Sequence, residues 1–396
     1  MVDTLQLSPA RLEAAKRGVA LVFAANGMAF ASWASRTPAI KAGLSLDASQ
    51  LGLLLICVSI GSLVALPLSG SLVQRLGPSR TVLAGAVSEA TGFVIAAVGL
   101  WQVMVWPTAV GLVLAGVGIG IWDVAMNVEG ADVERRLNRS IMSRFHAAWS
   151  FGSVAGAGVG AAAAALDVAL ATQLAVVAVL VVVLAVVGIA AFIPVQAEQH
   201  ETEVRASLRD GWLNPRTLVI GLMTLAFAFT EGVANDWMAV AVVDGLGDSE
   251  ARGAVGFGAF VTAMTLARLF GGSALDRWGR VPVLRAAAVL AAAGLLLVIL
   301  GPTLPWLLVG ALLWGAGAAL GFPTGMSAAA DDVPRAAIHV SVVSSIGYTA
   351  FLAGPPLVGF LADAVGIRHA LYVVLVALVL ALVTSASAKP LADSDP

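Results

Sequence analysis

Gly70-Ser71-Leu72-Val73-Gln74-Arg75-Leu76-Gly77 and Gly272-Ser273-Ala274-Leu275-Asp276-Arg277-Trp278-Gly279 are one stretch written twice, about 200 residues apart. Each is a short polar break between two long apolar runs. Gly116-Val117-Gly118 recurs in the same way as Gly315-Ala316-Gly317. A chain that repeats its own punctuation at such an offset is built of two related halves, and related halves in a membrane protein point to alternating access around a central site.

Composition puts the chain in lipid. Hydrophobic residues make up 59% and charged residues 12%, against roughly 45–50% and 25% in a soluble domain. The 42 glycines and 16 prolines sit inside apolar runs, as membrane helices allow. The formal charge of −2 and the lack of a basic, aromatic-rich patch give no electrostatic footprint for nucleic acid. Cys57 is the single cysteine, which excludes an intrachain disulfide or a cysteine metal cluster.

A span needs about 20 mainly apolar residues. Twelve segments qualify: Gly18–Pro38, Leu51–Val73, Thr81–Leu100, Pro107–Val128, Phe145–Leu166, Leu170–Ile193, Leu218–Val240, Val255–Leu275, Val283–Leu300, Pro305–Ala328, Val340–Ala362 and Ala370–Ser385. The first is too long for a cleaved signal and is read as an uncleaved span. Lys and Arg gather on alternate loops. Arg75, Arg80, Arg135, Arg136, Arg277 and Arg280 fall on one side, whereas Arg36, Lys41, Arg252 and Arg368 alone fall on the other. The positive-inside rule then makes both termini cytoplasmic in a bacterial inner membrane. The one long polar stretch, Gln196–Arg216, divides the spans six and six, giving halves 1–194 and 217–396 joined by a cytoplasmic linker, 195–216.

With Gly272, Asp276, Arg277, Gly279 and Arg280 in the second half, and Gly70, Arg75, Gly77 and Arg80 in the first, the chain resembles the major facilitator superfamily. That family's loop after the second span of each half reads approximately Gly-x-x-x-Asp-Arg-x-Gly-Arg. Gln74 stands where the first half's acid belongs. The resemblance implies an all-α fold of twelve membrane helices, a gating role for these nine residues, and a central cavity lined by spans one, four, seven and ten. Asp123-Val124-Ala125-Met126-Asn127, Arg144-Phe145-His146 with Ser150 and Gly152, and Glu231-Gly232 with Asp236-Trp237 resemble a bacterial subgroup that contains the rhizopine-associated membrane protein.

Charges at membrane depth cost roughly 2.5–3.5 kcal/mol each on the insertion scale, so buried acids are where mechanism is sought. Asp123 and Asn127, four apart, share one face of span four. Glu231 and Asn235 do the same in span seven, with Asp236 about 140° away from Glu231 on an ideal helix. An amide binds hydroxyls but cannot titrate, whereas a carboxylate alternates between ionised and neutral. Asp123, then Glu231, are therefore the leading proton-coupling candidates, followed by Asp236 and His146. Asn127, Asn235, Asn26, Trp33, Arg36, Trp314 and Phe322 are the substrate-binding candidates. Each has a plainer alternative: a paired structural acid, a helix-bridging amide, a packing aromatic, or, for His146, a gate or cap. Gly232 is a point where span seven could unwind. Trp101, Trp106, Trp237 and Trp306 are assigned to the interfacial belts. Arg268 is read as a structural partner for Asp331 or Asp332. Glu89, in span three, is left outside the site because the family places that span at the periphery.

No Gly-Lys-Ser/Thr occurs, so ATP has no phosphate cradle. The glycine patterns Gly116-x-Gly118-x-Gly120 and Gly156-x-Gly158-x-Gly160 lie inside spans and are read as packing glycines. Metal and cofactor are not expected, and neither is catalysis, since no nucleophile with a placed base is recognisable. The expected function is proton-coupled uptake of a small polar organic solute, a sugar, polyol or sugar derivative, by a monomer in the bilayer. Proton-coupled efflux of amphipathic compounds is the rival transport reading, and a non-transporting membrane sensor the rival of another class.

Overall fold

A computed structural model describes residues 8–137, 141–193, 208–329, 331–332 and 336–391. The backbone is helical almost throughout, with no strand among the described residues. The long helices are α1 Pro9–Ala34, α2 Ala48–Leu66, α3 Arg75–Trp101, α4 Val105–Leu137, α5 Met142–Ala165 and α6 Leu170–Ile189. They continue with α7 Pro215–Leu246, α8 Glu250–Trp278, α9 Arg280–Leu300, α10 Leu304–Ala329, α11 Ala336–Val365 and α12 Ile367–Ala388. Ten of these are long and apolar enough to cross a membrane, and α1 with the short helix Thr37–Gly43, bent by 42°, makes an eleventh. The remaining helix, α5, has 24 residues, which at 1.5 Å rise is about 36 Å and enough for a core of about 30 Å.

The helices outrun the apolar segments because hydropathy marks only the embedded part. α1 begins at Pro9, where the Ser8 side chain accepts from Arg11 N–H and proline occupies the first turn. α7 is started in the same way by Asn214 and Pro215 and stopped by Gly247 in the left-handed region. α4 runs on past Val128 to Leu137.

The chain falls into two compact units, Met1–Ser45 with Cys57–Glu198, and Leu46–Ile56 with Gln199–Pro396. Most of the expected linker lies outside the described residues; its end forms the short helix Leu208–Leu213. In the first unit α1 packs along α5 and α6, and α3 packs on α4. In the second, α7 packs against α11, α8 and α12, and α9 against α10. The repeated stretch has the same backbone in both halves. Gly77 has φ 78°, ψ 161° and Gly279 has φ 80°, ψ 163°, a region that side chains other than glycine's rarely adopt.

Most glycines of the two patterns press on a neighbouring helix: Gly116 meets the backbone of Val58, Gly118 that of Gly85 and Glu89, Gly120 that of Ser62 and Gly156 that of Met28, while Gly160 makes room for the Ser35 side chain. Gly158 faces open space. The tightest crossing joins α1 and α5, where a side chain on Gly27 would run into the Trp149 carbonyl and one on Gly152 into that of Ala24. Gly27→Val is therefore expected to cost about 1–3 kcal/mol through overpacking. The check is the melting temperature of the purified protein in detergent; an unchanged value would mean that this crossing yields.

Candidate functional site

In the first half the acid and amide of α4 are joined. Asn127 Nδ2 donates to the Asp123 carbonyl oxygen at 2.8 Å and to Asp123 Oδ1 at 3.4 Å. Both side chains are partly buried. Asn127 keeps its own Oδ1 as an acceptor, so this face offers oxygens to hydroxyl or N–H donors.

On α1, Asn26 is 3% exposed and its Oδ1 accepts from Trp149 Nε1 of α5 at 2.9 Å. An indole nitrogen can only donate, which fixes the amide's orientation. Asn26 Nδ2 and Trp33 Nε1 are left buried without partners. Phe30 lies between them, stacked on Trp149 with ring centres 6.0 Å apart and edge-on to Trp33 at 6.1 Å. Trp149 is absent from the sequence candidates. Its signal was its place one turn after Arg144-Phe145-His146, on the helix that carries the glycines facing α1. Arg36 is 4% exposed, donating to Gln173 Oε1 at 2.8 Å and to the Val168 carbonyl at 3.2 Å; it ties the end of α1 to α6. His146 is exposed, with its ring edge-on to Phe23 at 5.3 Å. The group that caps α5 is Glu134, whose Oε2 accepts from both Ile141 N–H and Met142 N–H at 2.6 Å, so the capping role considered for His146 falls to an acid. Glu129 Oε1 accepts from Ile193 N–H at 2.7 Å.

In the second half Glu231 of α7 is clamped by Arg268 of α8, whose Nη2 donates to both carboxylate oxygens at 3.0 and 2.9 Å. This corrects the expected partner. Arg268 Nε donates in addition to the Ala319 carbonyl at 3.2 Å. Ala319 and Leu320 interrupt α10, which consists of Leu304–Ala318 and Gly321–Ala329. Arg268 thus pairs the acid of α7 and satisfies the Ala319 carbonyl, whose partner one turn on would be the N–H that Pro323 lacks. The unwinding expected at Gly232 does not occur, because α7 is continuous through Leu246. Gly232 instead admits the Phe351 ring, 3.0 Å from where a Cβ would stand. Asn235 and Asp236 are partly buried on α7.

Trp314 is fully buried and edge-on to Phe260 at 5.9 Å, with α9 pressed to its backbone at Gly294. It fills a helix interface and does not form a wall. Phe322 belongs to a row with Tyr348 and Phe351, at 5.8 and 6.2 Å. Trp101, Trp106 and Trp306 are exposed, as a belt position requires, but Trp237 is fully buried in the core.

At the far end of the second half, Asp331 pairs with Arg280 at 2.8 Å and Arg216 at 2.8 Å. Of the gating stretch, then, Arg280 makes the ion pair. Asp276 makes none among the described residues, and Arg277 lies over Trp278 at 5.5 Å. Gly272 is exposed and open. In the first half Arg75 and Arg80 are exposed on either side of Gly77, and Gly70 is in the helix leading to it.

A twelve-helix chain with a repeated Gly-Arg-Gly stretch and acids at membrane depth defines a secondary-transporter class. The family model of the Major Facilitator Superfamily matches residues 19–264 and 220–394, and the chain belongs to that family; it is a transporter and not an enzyme. The transporter y4wD of Sinorhizobium fredii is 34% identical over 361 residues, 90% of this chain and 94% of that one. An MFS-type transporter of Yersinia pestis is 32% identical, covering 87% and 88%. Membrane protein MosC of Rhizobium meliloti is 27% identical, covering 89% and 85%. Among solved structures, the nucleoside transporter NupG aligns with TM-score 0.76 at 14% identity, covering 94% of this chain and 98% of its own. The E. coli fucose:proton symporter FucP aligns at 0.63 and 16%, covering 94% and 98%. At such identities these two show the shared fold.

Proposed function

We propose that the protein takes up a small, hydroxyl-rich organic solute together with protons by alternating access, as a monomer in the bacterial inner membrane with both termini cytoplasmic. The observation that carries this reading is the hydrogen-bonded Asp123–Asn127 pair at membrane depth, a carboxylate that can titrate beside an amide that can only bind. The names of two structurally similar proteins, a nucleoside transporter and a fucose:proton symporter, fit solutes of this kind. Asn26 Nδ2 and Trp33 Nε1, buried donors without partners, are the groups that this reading assigns to a solute's acceptor oxygens once the halves move. An efflux protein for amphipathic compounds would be expected to expose aromatic and apolar surface in place of these polar groups.

The test is uptake into proteoliposomes from pooled radiolabelled sugars and polyols, with and without an inwardly directed proton gradient. Accumulation of one compound only when the gradient is imposed is the expected result. Gradient-independent equilibration of every compound, or expulsion of apolar dyes in their place, would reverse the assignment.

A further inference from the structure

Glu89 is used by nothing described so far. It stands near the middle of α3, has 0% exposure, and neither carboxylate oxygen has a hydrogen-bond partner. The place is tightly held. Gly118 of α4 lacks a side chain where the Glu89 backbone crosses it, Gly85 meets the backbone of Trp122 one turn away, and the Ser88 hydroxyl donates to the Leu114 carbonyl at 3.0 Å. Trp122, also 0% exposed, has an unpartnered indole N–H at the same crossing.

A carboxylate so placed needs a counter-charge, since an uncompensated buried ion costs several kcal/mol. The basic residues of α3 itself, Arg75 and Arg80, stand about 14 Å or more away along the helix axis, and the neighbouring helices offer none. Ala48–Leu66 contains only Cys57 as a titratable group, Leu170–Ile189 contains none, and Val105–Glu134 contains only acids, Asp123, Glu129, Asp132 and Glu134. A metal cation would require several oxygen ligands, and no cluster of three metal-binding side chains exists among the described residues. What remains is a proton. We infer that Glu89 is a second proton-binding site of the first half, loaded as a neutral carboxylic acid in the state seen here and unloaded during the transport cycle. Trp122 bridges the two acids in the chain, abutting the Glu89 crossing and followed directly by Asp123. On unloading, the carboxyl O–H gives its proton to water and leaves a carboxylate for which the free indole N–H is a donor.

The inference that the site unloads rests on the proton-coupled reading above, whereas its loading does not, and the experiment separates them. Infrared spectra of the reconstituted protein should contain a protonated-carboxyl band that Glu89→Gln removes, with Glu89→Met as a second variant should the first fold poorly. In voltage-clamped proteoliposomes fed the sugar and polyol pool, wild type should accumulate solute ~100-fold per pH unit of gradient and Glu89→Gln ~10-fold, one proton being worth a factor of ten. A band unchanged by both variants overturns the loaded acid. Equal accumulation by wild type and Glu89→Gln overturns the unloading. If wild type ignores the gradient altogether, proton coupling falls; a Glu89 band that then disappears reversibly at high pH still upholds the proton site, and one that never titrates removes it.

Discussion

Replacing Arg268 with alanine is expected to destabilise the second half by about 1–3 kcal/mol, the cost of removing one partner of a part-buried, hydrogen-bonded ion pair. Two losses combine. The Glu231 carboxyl loses the guanidinium that holds both its oxygens, and the Ala319 carbonyl at the break in α10 loses its donor. The double variant Arg268→Ala/Glu231→Gln should recover the first loss and not the second. Melting temperatures of the wild type, both single variants and the double variant in detergent give the coupling directly. Additive single effects would show that the pair contributes nothing to holding α7, α8 and α10 together.

The second large effect is expected at Asp123. Asp123→Asn keeps the shape and the Asn127 bond to the main-chain oxygen but removes the titrating group. Solute exchange across the membrane should continue, because it needs no net proton movement, while gradient-driven accumulation should fall by at least ~10-fold for each pH unit imposed. Counterflow and accumulation measured on the same vesicles decide it. Loss of both would make Asp123 a binding residue, and loss of neither would remove it from coupling.

The architecture was legible because hydropathy reports depth directly. Twelve apolar segments matched twelve helices, and the repeated Gly-x-x-x-x-Arg-x-Gly stretch anticipated two glycines with nearly identical left-handed backbone at Gly77 and Gly279. Rotation about a helix axis is harder to read, since an apolar environment on all sides leaves little periodic contrast. For that reason Trp314 and Trp237, sensible candidates for a wall and a belt, turn out to be core, and Trp149 was missed. Arg268 was assigned the wrong acid although register held the answer. Glu231 lies about 16 residues before the Gly247 turn and Arg268 about 20 after it, so an antiparallel hairpin brings them to similar depth. Asp331 belongs to the opposite end, with Arg216 and Arg280. Gly232 makes unwinding plausible in the sequence, as in the discontinuous helices of transporter sites, whereas in the structure its missing side chain makes room for Phe351.

The interruption of α10 makes the two halves mechanically unequal. Its counterpart α4 is a single rod from Val105 to Leu137, while α10 has a joint at Ala319–Leu320 fastened by a side chain whose other hand grips a carboxylate. Anything that weakens that grip loosens the fastening with it, so the stiffness of the joint becomes a gauge of the pairing of an acid on another helix. Deuterium exchange at residues 317–323 would read that gauge without any knowledge of the cargo.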